Sequence, residues 1–218
     1  MKYKSILFEP WVGKDYTTGG VFNKKVLVLG ESHYCNDLNS GKCKKCVKVN
    51  MRSECFSQTQ DVIEEFVNDY RGESYQQTFL CFERALAGRE LTQNEREMLW
   101  NSVVFYNYFQ AAATGARVAP DFEAIQVSED AFHELLELYL PDVIIVWGSR
   151  LYDLLPAWEG TESRLTIGAD SARVWHYKVN GKEFPALCVH HPSSPSGKCW
   201  PYWHEFHKKF IGVPLFKN

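Results

Sequence analysis

Three short stretches gather side chains able to do acid, base and hydrogen-bond chemistry. They are "GESHYC" at Gly30–Cys35, "YNYFQ" at Tyr106–Gln110 and "HHPSSPSG" at His190–Gly197. Together they supply a carboxylate, an amide, imidazoles and hydroxyls. A site of this kind can offer a carboxylate or an oriented water on one side of a reacting group and a hydrogen-bond donor on the other. A second cluster is of a different sort. "CNDLNSGKCKKCVKVNMRSEC" holds Cys35, Cys43, Cys46 and Cys55. Its central Cys-x2-Cys makes a tight knuckle for two thiolates, and the outer cysteines complete a tetrahedral set for zinc. Lys42, Lys44, Lys45 and Lys48 surround the pair and offset its negative charge. A loop of this length inside a compact domain needs something to hold it.

The elements that must position these groups follow from periodicity. Lys25 to Gly30, Ser102 to Tyr108 and "PDVIIVWG" read as buried strands of the continuous apolar type found in parallel sheets. "RVWHYKVNGKEFPALCVHHP" carries Asn180-Gly181, the strongest short hairpin signal, and its second arm, Phe184 to Val189, leads into the His191 stretch. Helices are predicted over "SQTQDVIEEFVNDY", over "SYQQTFLCFERALAG" with Gly88 as its stop, and after the capping-box spacing of "TQNE" at Thr92–Glu95. "SEDAFHELLELYL", with Ser128 as its cap, "SRLYDLL" and "PYWHEFHKKF" read as three more. His204 and His207 are expected on one face of the last rather than on a metal. Strands alternating with helices predict an α/β fold, a three-layer α/β/α sandwich around a central, mostly parallel four-stranded sheet. Ligands of such sheets bind beyond the carboxyl ends of the strands, where the three polar stretches fall. Residues 1–218 read as a single domain with a metal-binding insertion at 35–55.

Composition narrows the class. Of 218 residues, 45% are hydrophobic and 23% charged, ordinary for a chain with a substantial core. No apolar run reaches the ~18 residues that span a bilayer, and the amino terminus lacks a signal-peptide pattern. Seven cysteines, an odd number, suit metal ligands and buried thiols in a cytoplasmic protein better than disulfides. A net charge of −3 lacks the global basic footprint of many nucleic-acid binders, although local patches matter more than the sum. The expectation is a cytoplasmic monomer with no membrane partner.

In order and spacing the polar stretches resemble the uracil-DNA glycosylase superfamily. "GESHY" at Gly30–Tyr34 is similar to its first motif, Gly-Gln-Asp-Pro-Tyr or Gly-Glu-Ala-Pro-Gly. "FYN", ending at Asn107, is similar to its middle-strand Asn, and "HPSSPS" at His191–Ser196 to its His-Pro-Ser-Pro. "PDVIIVWGSRLYDLL" resembles its Pro-x-hydrophobic-Gly segment. The resemblance implies hydrolysis of the N-glycosidic bond of a damaged or deaminated base flipped out of DNA. Glu31 would position water, and His191 would donate to the departing base. Asn107 would read the base edge, Tyr34 would wall the pocket, Phe56 would stack on the base, and Ser193 and Ser196 would grip phosphates. Ser32 stands where the most active members have Asp, and His33 replaces the Pro of the first motif. A protein that binds a base, nucleotide or nucleic acid without cleaving it is therefore the alternative reading. One branch of the superfamily carries an iron–sulfur cluster, which makes that group the alternative to zinc.

Overall fold

The computed structural model describes residues 3–34, 55–113, 122–194 and 200–212 of the chain, with the backbone alone for 122–124. Its strands are β1 (Trp11–Val12), β2 (Val26–Gly30), β3 (Val103–Asn107), β4 (Val143–Trp147), β5 (Gly160–Ile167), β6 (Asp170–Val179) and β7 (Lys182–Val189). Its helices are α1 (Gln58–Asn68), α2 (Gln76–Ala87), α3 (Gln93–Trp100), α4 (Phe122–Tyr139), α5 (Ser149–Leu154) and α6 (Trp200–Ile211). The strands form one sheet in the order β1-β3-β2-β4-β7-β6-β5.

The central strands are buried on both faces because their apolar runs do not alternate with polar residues. Val26 and Val28 enter one core cluster, while Leu27 and Leu29 enter the other. This is the two-residue period of a strand read out as two cores. Phe66 on α1, Phe82 on α2, Trp100 on α3 and Phe206 on α6 cover the first face. Phe132 and Leu135 on α4 and Leu151 on α5 cover the second. Helices thus lie on both sides of the sheet. Thr92 caps α3 with both bonds of the capping box, and Gly88 closes α2 with φ 75°.

The sheet is larger and more mixed than the four parallel strands expected. β3, β2, β4 and β7 do run parallel, but β1 joins β3 antiparallel, and β6 and β5 extend β7 antiparallel. The Asn180-Gly181 turn explains much of the difference. Both residues take positive φ, 51° and 77°, and fold β6 back against β7 from Val179 and Lys182. The first arm of that hairpin is a full sheet strand, and β5 pairs with it along eight residues. Ser128 is also not a helix cap. α4 begins six residues earlier, and Ser128 lies buried within it, where its Oγ accepts the Gln110 N–H at 3.0 Å.

Candidate functional site

β2 and β3 stay in parallel register to their last residues, with Gly30 beside Asn107. Glycine leaves room for this arrangement, since a Cβ on Gly30 would lie 2.2 Å from Asn107 Oδ1 and displace the amide. The two segments continue together past the strands. Tyr108 N–H donates to Gly30 O (2.9 Å), Phe109 N–H to Glu31 O (3.0 Å) and Ala113 N–H to His33 O (2.7 Å). Gln110 braces this extension. Its Oε1 accepts from Leu7 and Phe8 N–H, and its Nε2 donates to the Asn107 carbonyl at 3.3 Å.

The polarity of the Asn107 side chain is set from beneath. Its Nδ2 lies 3.2 Å from His33 Nδ1 and 3.4 Å from Nε2, and His33 Nε2 lies 3.0 Å from Thr59 Oγ1 on α1. His33 is buried, packs at a tilt of 49° with its ring centroid 4.3 Å from that of Phe8, and has its pKa pushed down to about 3 by burial. It is therefore neutral. An amide N–H can only donate, so a ring nitrogen of His33 accepts from Asn107; with the nearer Nδ1 as acceptor, the ring proton on Nε2 faces the Thr59 hydroxyl. The chain Thr59–His33–Asn107 holds the Nδ2 end of the amide toward His33 and leaves Oδ1 over Gly30.

Glu31 is half-buried, with Oε1 3.1 Å from Arg150 Nη1. Arg150 is the second residue of α5 and comes from the end of β4, the strand on the other side of β2. Burial raises the Glu31 carboxyl above its ordinary range, and the Arg150 guanidinium pulls against that rise. Tyr34, 55% exposed, has its phenol raised by burial first and then by Glu31.

His191 follows β7. Gly148, at the end of β4 with φ 96°, donates its N–H to Val189 O at 2.8 Å. A Cβ there would lie 3.6 Å from the His191 Cβ. The His191 ring meets the Trp147 ring edge-on at 6.2 Å, and burial lowers its pKa, which favours the neutral form. Its Nδ1 accepts the Ser193 N–H at 3.4 Å and lies 2.8 Å from Ser193 Oγ. A backbone N–H can only donate, so the neutral ring carries its proton on Nε2 and can give a hydrogen bond there. The strand order β3-β2-β4-β7 thus arrays Asn107, Glu31, Arg150 and His191 along one edge. Three strand spacings put its ends roughly 14 Å apart at the backbone.

The structure therefore brings Glu31, Tyr34 and Asn107 together, with His191 two strands from Glu31 on the same edge. Phe56 is half-buried just before α1 and accepts the Glu9 N–H on its carbonyl at 2.7 Å. Gln58, two residues on, donates to Tyr34 O at 3.3 Å, which places Phe56 at the same corner. Ser193 is bound to His191. Ser196, Cys35, Cys43 and Cys46 lie outside the described residues, and Cys55 is half-buried beside Phe56. Among the described residues no group of three His, Cys, Asp or Glu side chains is arranged to hold a metal. His204 and His207 both place Nδ1 against the carbonyl end of α2, 3.1 Å from Leu86 O and 3.4 Å from Ala85 O respectively.

Four contributors escape a reading of the sequence. His33 looks like a reactive side chain but is a buried prop. Arg150 follows a strand end and could have been found from that placement. Thr59 and Gln110 carry no local signal. Among the described residues, no helix is long and apolar enough to cross a membrane. No family model matches the chain, and no curated protein is significantly similar to it.

Proposed function

We propose that the edge formed by Asn107, Glu31, Arg150 and His191 binds a base flipped out of DNA, and that the protein is a divergent glycosylase of the uracil-DNA glycosylase type. The observation that carries this reading is the orientation of Asn107. The Thr59–His33 relay spends one amide N–H and leaves an acceptor and a donor side by side, the complement of a base edge with adjacent N–H and C=O groups. His191, neutral with its proton on Nε2, is suited to donate to negative charge developing on a departing base. Glu31, as a carboxylate, is suited to hold the attacking water by accepting its hydrogen bond, to offset positive charge on the sugar and to take up the water's proton as the new C–O bond forms, while the base leaves with the bonding pair as an anion held by His191 Nε2–H.

The ion pair between Glu31 and Arg150 favours a second reading. A carboxylate shared with a guanidinium stabilises positive charge on a sugar less well, so the same edge would bind a base or nucleotide without cleaving it. Duplex and single-stranded oligonucleotides carrying uracil, hypoxanthine, xanthine or mismatches separate the two when scored in parallel for binding and for abasic sites. Abasic product supports the enzyme, and base-dependent binding without product supports the binder. Neither result for any oligonucleotide removes both.

We further propose that Cys35, Cys43, Cys46 and Cys55 hold one zinc, whose lysine-rich loop would bring local positive charge beside Tyr34 and Phe56. Elemental analysis of reduced protein should give one zinc per chain, lost on Cys43→Ser. Iron with visible absorbance would assign an iron–sulfur cluster instead, and the lack of either metal would refute the site.

A further inference from the structure

β5 closes the sheet at the end opposite β1, and among the described residues no strand pairs with its outer side. Five of its eight residues are exposed and three half-buried, in the sequence "GTESRLTI". It has no proline, and the turn that joins it to β6 is only two residues, Gly168 and Ala169. The other edge strand, β1, is two residues long and offers almost no template. A long edge strand in unbroken register, without proline or bulge, leaves its outer ladder groups as a pairing surface, and its charged side chains then decide the partner.

The hairpin geometry tells which backbone groups are open. In a two-residue hairpin the residues flanking the turn form a hydrogen-bonded pair, and pairs then alternate. Ile167 faces Asp170, so Ile167, Leu165, Ser163 and Thr161 bond to β6. The N–H and C=O groups of Gly160, Glu162, Arg164 and Thr166 point outward. Consistent with this, Thr166 O accepts from Lys209 Nζ at 2.8 Å.

We infer that β5 pairs antiparallel with β5 of a second copy of the chain, about a two-fold axis through Ser163, making one continuous sheet across a dimer rather than the monomer expected from composition. Only registers that match outward residues with outward residues can form ladder bonds. An axis through Glu162 would set Glu162 against itself, and an axis through Arg164 would set Arg164 against itself, both like-charge pairs that weaken a ladder. The axis through Ser163 sets Glu162 against Arg164 twice. Each side chain is already held on its own chain, Glu162 by Arg173 at 3.1 Å and Arg164 by Ser171 at 3.1 Å, so the new contacts extend an ordered network. The same register places exposed Glu159 of the second copy opposite Ile167. That position borders a groove of about 460 Å3 whose charged lining is Lys208, Lys209 and Glu205, two cations to one carboxylate. Lys209 can pass from the Thr166 carbonyl to this carboxylate as the ladder forms. The symmetry is isologous, so the contact closes on itself and stops at two copies.

The test is sedimentation velocity on the full chain across a concentration series, with three variants. Wild type should show a dimer fraction that grows with concentration. Arg164→Pro removes an outward N–H and no β5–β6 bond, so it should stay folded by circular dichroism and sediment as a monomer. Arg164→Glu should also be monomeric, and adding Glu162→Arg should restore the dimer, since the pair is complementary again. Ser163→Cys should cross-link under mild oxidation, with mass spectrometry joining position 163 to itself, because paired Cβ atoms on the axis lie about 5 Å apart. Wild type that is monomeric at every concentration would overturn the inference. So would a dimer that survives Arg164→Pro, or a cross-link that joins position 163 to another cysteine. None of these results depends on whether the strand-end edge binds a base.

Discussion

At the level of single residues, the chemistry rests on which atoms carry protons. His191 offers Nε2–H because Ser193 N–H takes Nδ1. His191→Ala should therefore lower the rate of base release by a hundredfold or more, about 3 kcal/mol of lost transition-state stabilisation, with binding of the oligonucleotide little changed. Single-turnover kinetics measures this. Glu31 must be ionised to hold water, and its carboxyl is raised by burial while Arg150 restrains the rise. His191 carries an Nε2–H to donate in either protonation state, so protonation of Glu31 sets the acid limb of the pH–rate profile. Arg150→Ala removes the restraint, so the limb should move to higher pH. A limb that stays in place or moves down would show that Glu31 is not the ionising group. That Glu31, Asn107 and His191 stand at strand ends was legible in the sequence because each follows or ends an apolar run. The proton assignments were not, because they depend on His33, Thr59 and Ser193 meeting side chains far along the chain or around a turn.

At the level of elements, the polar cluster of the proposed site forms because β2 and β3 end level and close together. Gly30 allows Asn107 to lie across the end of β2. Gly30→Ala should leave the fold intact by circular dichroism but push the Asn107 amide off His33, with loss of base discrimination comparable to Asn107→Ala. A Gly30→Ala variant that discriminates normally would contradict the role given to Asn107. The parallel strands were readable from runs such as "VLVL" and "VIIVW", which have no polar alternation. β5 was not, because its residues are exposed or half-buried on both faces and leave no period to find. β1, with two residues, is too short to show one. The start of α4 was misplaced because Ser128 looks like a cap, whereas its hydroxyl serves the Gln110 backbone.

At the level of the whole molecule, neutral histidines inside the fold couple stability to acid. His33 is pushed down to about 3 and His207 to about 4, both by burial first. In the unfolded chain each titrates near 6.5, so below that pH the unfolded state takes up protons that the folded state refuses. Stability is thus complete above the unfolded value and falls as pH drops from about 6.5 toward 4, by about 2 kcal/mol per histidine at pH 5. Urea unfolding at pH 7 and pH 5 should show this loss, and His207→Gln should remove one share of it. An unchanged pH dependence in that variant would refute the assignment. The central claim, that the strand-end edge holds a base, is tested most directly by nuclear magnetic resonance of isotope-labelled protein titrated with free uracil, hypoxanthine and xanthine. The account predicts that at least one base shifts the Asn107 side-chain amide and the His191 ring signals together, saturably, and that Asn107→Ala abolishes the His191 response. Shifts confined to other parts of the molecule, or none with any base, would contradict it.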